Sequence, residues 1–256
     1  PQGSWAGAHR AARPAWFATG VAILASLVAL VLSSGRAIAG PNAGGTLILH
    51  TDTGIVYTDD EFYIGLSGID CGFATDCPPS NSGSCQSGIT AANVDAHDGF
   101  DPQVWWVFAA FPTQACPILS SVSFSVYYPE SQLELWAMGW DADTYEPYGN
   151  FPWEDATGIK FHFDQPRRSQ LVEICFFSGV VLSGQPYFSL GGHPLGGGDF
   201  YDDSAVPITD PIMGFSSLGF GTSGYQALPG GGGAPLGACC FSGGSCTQLT
   251  YDDCMS

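Results

Sequence analysis

Residues Ser120 to Met138 read "SSVSFSVYYPESQLELWAM", the most regular pattern in the chain. Val122, Phe124, Val126 and Tyr128 alternate with Ser121, Ser123, Ser125 and Tyr127. A period of two belongs to a β-strand with one face in a core and the other in water. Pro129, Glu130 and Ser131 then supply a turn. Beyond it Leu133, Leu135 and Ala137 alternate with Gln132, Glu134 and Trp136. The spacing predicts strand, turn, strand, with the serines on the wet face.

Working outward, the flanking runs are of the same kind. "GTLILH" (Gly45 to His50), "IVYT" (Ile55 to Thr58) and "FYIGL" (Phe62 to Leu66) precede it, and "GIKFHF" (Gly158 to Phe163), "LVEICFFSGVVL" (Leu171 to Leu182), "PYFSLGG" (Pro186 to Gly192) and "GFSSLGFG" (Gly214 to Gly221) follow it. "QVWWVFAAF" (Gln103 to Phe111) is apolar on both faces, as a strand buried between two layers must be. About nine or ten short strands separated by Gly, Pro and Asp predict an all-β chain, an antiparallel β-sandwich. A short helix fits at Gly88 to Val94, and no stretch holds helical spacing over several turns.

The ends are different in kind. Arg10 and Arg13 precede the apolar run "VAILASLVALVL" (Val21 to Leu32), and Ala37 to Ala39 form a small-x-small site. These are the parts of a signal peptide spanning 1–39, with the mature chain starting near Gly40 and no membrane insertion after its removal. That removal leaves Lys160, Arg167 and Arg168 as three cations against all 24 acids, a formal charge of −21. Such a balance excludes nucleic acid and an anionic membrane surface as partners. At the other end "LPGGGGAPLG" (Leu228 to Gly237) is a Gly/Pro linker. We place the sandwich at 40–228, the linker at 229–236 and a Cys-rich piece at 237–256.

Nine cysteines in an exported chain read as disulfide candidates: Cys71, Cys77, Cys85, Cys116 and Cys175 in the body, Cys239, Cys240, Cys246 and Cys254 in the tail. The body number is odd, so one cysteine is buried and unpaired or pairs outside the chain. The tail spacings contain no C-x2-C knuckle and no histidine, which favours staples over zinc.

The strand, Pro turn and "LEL" of Val122 to Leu135 resemble cohesin-like and carbohydrate-binding-like sandwiches. The longer arrangement, "GGTLILH" (Gly44 to His50), "VFAAFP" (Val107 to Pro112), "SVSFSVYY" (Ser121 to Tyr128) and "LGFGTSGY" (Leu218 to Tyr225), is similar to a group of uncharacterised exported proteins of environmental bacteria. The tail resembles the first part of a Cys-rich repeat beginning "GACC", truncated after Cys254. These resemblances imply a binding fold and transfer no catalytic residue.

Motifs for chemistry are sparse. There is no H-E-x-x-H, no G-x-S-x-G elbow and no phosphate loop followed by a helix. Aromatic residues crowd one region, and Trp136, Trp140, Tyr145, Tyr148 and Trp153 are candidate ligand platforms on which sugar rings would stack. Acids gather in loops: Asp95, Asp98 and Asp101 in "NVDAHDGFD", then Asp141, Asp143 and Glu146 in "WDADTYE", are candidate calcium ligands. "GGGDFYDD" adds Asp199, Asp202 and Asp203. The expectation is a secreted or cell-surface module, non-catalytic, binding a glycan or another surface protein and stabilised by Ca2+. The alternatives are a self-associating structural subunit of a surface layer or filament, and an extracellular hydrolase using Glu154 and Asp155.

Overall fold

The structure is a computed structural model that describes residues 40–230, together with the strands 236–240 and 246–250. The expected signal peptide, most of the linker and Cys254 lie outside the described residues. No helix among the described residues is long and apolar enough to cross a membrane.

Two sheets form the body. One has four strands in the order β1-β3-β8-β5, from β1 (Thr46–Val56), β3 (Gln103–Ala110), β8 (Leu171–Val181) and β5 (Leu133–Trp140), all antiparallel. The other has eight, centred on β4 (Leu119–Tyr127). Along one side of β4 runs β7 (Thr157–Arg167), with β6 (Thr144–Tyr148) beyond it. Along its other side lie β10 (Asp199–Tyr201) and β9 (Tyr187–Gly191), which continue to β11 (Thr209–Pro211), β12 (Ser217–Phe220) and β2 (Asp95–Ala96). The antiparallel sandwich read from the sequence is the fold, with β2 against β12 as a parallel exception.

The sheets meet over an aromatic core. Trp105 packs on Phe188 and Phe220 at 5.2 and 5.5 Å between ring centroids, and Phe177 on Phe188 at 5.0 Å. Val122, Phe124 and Val126, the apolar half of the opening pattern, are fully buried here. A bulge in β8 sets Val107 opposite Cys175 and Phe108 opposite Glu173, so that Ile174 and Cys175 both join this core.

A second core lies on the outer face of the four-stranded sheet. There Ile48, Val104, Trp106, Phe108 and Phe176 are covered by Tyr63, Ile69, Cys71, Cys85 and Ile89. The cover is the segment between β1 and β2, with α1 (Ser82–Ala91) inside it. Cys71 is joined to Cys85, and Cys77 to Cys116. This explains why β3 is apolar on both faces.

Two expectations are corrected, and one alternative is decided. Ile55 to Thr58 and Phe62 to Leu66 form no separate strands: β1 runs on through a bulge to Val56, and Tyr63 is spent as a fully buried plug under which the Trp106 indole N–H donates to the Tyr63 carbonyl at 2.8 Å. The helix starts at Ser82 and ends at Ala91, ahead of the expected Gly88 to Val94, because its buried side is set by Cys85 and Ile89. The odd cysteine is Cys175, fully buried and unpaired, so it offers no bridge between chains. In the tail, β13 (Leu236–Cys240) and β14 (Cys246–Thr250) pair as a hairpin with Cys240 opposite Cys246.

Candidate functional site

Among the described residues no helix or further sheet packs on the outer face of the eight-stranded sheet, and strand register builds a polar groove on it. Across β6, β7, β4 and β10 the residues Glu146, Lys160, Ser123 and Asp199 stand in one row. The row on one side is Tyr148, Gly158, Ser125 and Gly191; the row on the other is Thr144, His162, Ser121 and Tyr201. Ser123 lines this groove. The serines expected on a wet face are in fact buried, Ser121, Ser123 and Ser125 being at most 5% exposed, because the neighbouring strands' side chains and the loop 192–198 close over them.

The loop 192–198 forms its wall. A side chain at position 158 would place its Cβ 2.7 Å from both His193 Cδ2 and Pro194 Cδ, so the loop can lie against the sheet only because Gly158 has none. The Ser125 hydroxyl donates to the Gly192 carbonyl and holds the base of the loop. The resulting cavity is about 310 Å³, lined by Ser123, Glu146, Tyr148, Lys160, His193, Asp199 and Tyr201 among others.

Lys160 is the chain's single lysine. Its ammonium lies 3.9 Å from the centre of the Tyr201 ring, a cation–π contact. The ion pairs among the described residues do not involve Lys160: Arg167 pairs with Asp141 at 2.8 Å, Arg168 with Asp203 at 4.0 Å, and His162 with the groove's own Glu146 at 3.4 Å. Among Lys160, Arg167 and Arg168, Lys160 is thus the one without an ion-pair partner. Burial, helped by the nearby Lys160 charge, holds the His193 pKa below its ordinary value. Burial pushes Asp199 up, against the lowering influence of Tyr201 and Lys160. A cation, an electroneutral imidazole, two carboxyl groups and two phenol rings thus share one shallow site.

The sequence-predicted aromatic residues are dispersed. Tyr148 lines the groove. Trp140 and Tyr145 lie against each other at 4.4 Å, with Trp140 half-buried on the inner core. Trp136 is exposed on β5 of the opposite sheet, and Trp153 is exposed in the loop before β7. The acids are dispersed too. Asp95 accepts the Gly224 N–H at 2.9 Å, Asp143 accepts the Asp164 N–H at 2.7 Å, and Asp141 is paired with Arg167. Asp98 lies beside Gly221, Asp101 is exposed, and Glu146 alone of the six enters the groove. Among the described residues no three His, Cys, Asp or Glu side chains come together to hold a metal ion. Glu154 and Asp155 are spent on loops: Asp155 accepts the Tyr128 N–H at 2.9 Å in the turn after β4, and Glu154 accepts from Asn150 at 3.4 Å within the loop before β7.

Sequence reasoning missed Lys160, Ser123, His193, Asp199 and Tyr201 as a group. The signal available was the lone lysine on a predicted strand.

No family model matches the chain, and no curated protein is similar to it. Among solved structures, similarity is found to cohesin modules. A cohesin module from a family 33 glycoside hydrolase of Clostridium perfringens is 9% identical over 50% of this chain and 89% of its own, with a TM-score of 0.38. A type II cohesin domain from the cellulosome of Acetivibrio cellulolyticus is 9% identical over 50% of this chain and 90% of its own, also at 0.38. A non-cellulosomal cohesin from Archaeoglobus fulgidus is 11% identical over 46% of this chain and 80% of its own, at 0.33.

Proposed function

We propose that the chain is an exported, non-catalytic binding module of the extracellular space or cell surface, whose ligand site is the groove over Lys160 and whose ligand is a sugar unit. The observation that carries this is the unpaired Lys160 ammonium, poised on Tyr201 in a groove with carboxyl groups at both ends of its row. An ammonium donates hydrogen bonds, carboxylates accept them from hydroxyl groups, and phenol rings cover the apolar face of a pyranose. A cavity near 310 Å³ is at the small end of ligand pockets. Export is supported by the leader pattern and by two disulfides in the body.

Spacing argues against hydrolysis at the same site. The strands that carry Glu146 and Asp199 are separated by β7 and β4, about 14 Å between backbones at the usual strand spacing. Paired glycosidase carboxyl groups stand roughly 5 to 10 Å apart. The test is a glycan array probed with the full exported chain and with Lys160→Met, each with and without a calcium chelator. The expected outcome is retention of one glycan class by the parent, loss of it in Lys160→Met, and indifference to the chelator. An array blank for the parent overturns the sugar reading and leaves a self-associating subunit, joined through the open edge of β5 beside Trp136.

A further inference from the structure

Asp210, on β11, is a carboxylate only 3% exposed, and among the described residues it has no cation within an ion-pair distance. Its two oxygens are used by the chain just after the small-x-small site. Oδ1 accepts the Gly40 N–H at 2.7 Å and Oδ2 accepts the Asn42 N–H at 3.0 Å. The strap is fastened again by Asn42, itself fully buried: its Nδ2 donates to the Ile118 carbonyl at 3.1 Å and its Oδ1 accepts the Ile118 N–H at 2.9 Å. Position 40 has room for nothing but glycine, since a Cβ there would stand 2.3 Å from Asp210 Oδ2 and 2.7 Å from Ile208 Cγ2.

A buried carboxylate held by amides alone lacks the opposite charge that makes burial favourable. The nitrogen aimed at it is the one that cleavage after Ala39 would set free. We infer that the Ala39–Gly40 bond is a processing site, and that the new Gly40 α-ammonium is the counterion of Asp210. An endopeptidase that reads small-x-small adds water across the bond. The oxygen goes to the Ala39 carboxylate, and the Gly40 nitrogen leaves as an amine that takes up protons to become an ammonium. Its ordinary pKa is near 8, so it is charged at neutral pH. The Gly40 hydrogen bond then becomes charge-assisted, about twice as strong as the amide one it replaces. Processing and final docking of the strap are one event chemically, with Gly40 required by both its size and its place. The inference rests on the export reading and is independent of what the groove binds.

The experiment secretes the full chain from a bacterial host and identifies its N-terminus by mass spectrometry, with Gly40 expected. Melting temperatures are then compared for this protein, for the same protein acetylated at the Gly40 nitrogen, and for a chain retaining Ala37 to Ala39. The free ammonium should raise the melting temperature by about 5 °C over both of the others. In Asp210→Asn the three should melt together; if that variant does not fold, the acetylation comparison decides. A secreted protein with its N-terminus elsewhere overturns the processing site alone, whereas a chain retained by the host with residues 1–39 uncut overturns the export reading as well. A Gly40 start with equal melting of the free and acetylated forms overturns the ion pair alone.

Discussion

The two outer faces of the sandwich are built on the same pleat and end up opposite in character. On the four-stranded sheet, β3 and β8 send Val104, Trp106, Phe108 and Phe176 outward into a dry second core, closed by a disulfide-stapled segment. On the eight-stranded sheet, β4 sends out Ser121, Ser123 and Ser125, which are buried at the base of an open groove that Ser123 lines. The difference teaches how to divide the residues between stability and recognition. A face that the chain covers is where substitutions unfold the protein, and a face left bare is where they change what it binds.

The largest expected effect tests the covered face. Trp106→Ala removes a fully buried indole, its hydrogen bond to Tyr63 and its stacking against His50, and should cost about 4 kcal/mol in denaturant unfolding. Removing the staple with Cys71→Ser and Cys85→Ser together opens a loop with a sequence separation of 14. The expected loss is about 3 kcal/mol, and limited proteolysis should cut within residues 57–92 before the sheets. Neither change touches the groove. An equal loss from Ser123→Ala on the bare face would break the contrast.

Two titratable groups under the cover sharpen it. Burial is the main cause that pushes Glu173 up to about 7, although the Gly65 N–H and the Ser67 hydroxyl donate to its carboxylate. A raised folded-state value means that the folded protein holds the proton more tightly. The stability from this group is therefore fully present below about 4.5 and is lost as pH rises through about 7. Glu173→Gln should add about 2 kcal/mol at pH 8 and almost nothing at pH 4, measured by urea unfolding at both values. His50 has the opposite slope. Its Nδ1 accepts the Asn93 N–H at 2.9 Å, so the proton must sit on Nε2, which donates to the Ser67 carbonyl at 3.0 Å. Burial lowers its pKa, outweighing the raising influence of Ser67 and Asp52. Its contribution is complete above about 6.5 and is lost as pH falls below that. Replacing Glu173 by Gln should thus move the pH of greatest stability upward.

The smallest effect belongs to the bare face. Lys160→Met should change unfolding by no more than about 0.5 kcal/mol, since the ammonium gives up only a partly exposed contact with Tyr201, while ligand retention is lost. A loss of several kcal/mol would mean that the groove is held by its lysine and is part of the scaffold.

Much of this contrast was legible in the residues. The serine alternation of β4 announced a polar face, though not that its serines would be buried, and the unbroken apolar run of β3 announced two buried faces. What covers β3 was not legible, because "FYIGL" has the composition of a strand and only tertiary contacts make Tyr63 a plug. The groove was hidden for another reason. Its central row takes one residue each from β6, β7, β4 and β10, and strand register is not written in local spacing. β6 itself, "TYEPY", is exposed at all five residues and carries a proline, so nothing in its composition marks a strand; it exists as an edge laid on β7. The candidate acids and aromatics are neighbours in sequence, and the pleat sends neighbours to opposite faces, as it does with Tyr145 against Trp140 and Glu146 in the groove.

The bulge that turns Cys175 into the inter-sheet core gives the molecule an internal clock. Burial holds this thiol well above its ordinary pKa, with the Glu173 charge adding to the effect, and among the five cysteines of residues 40–230 it is the one left unpaired. A thiol-reactive reagent can reach it only when the two sheets part. The rate at which the peptide containing Cys175 gains label in mass spectrometry therefore times whole-body opening, while cleavage in 57–92 times the lifting of the cover alone. The two rates, read in one sample, show whether the second core detaches by itself or only with the first.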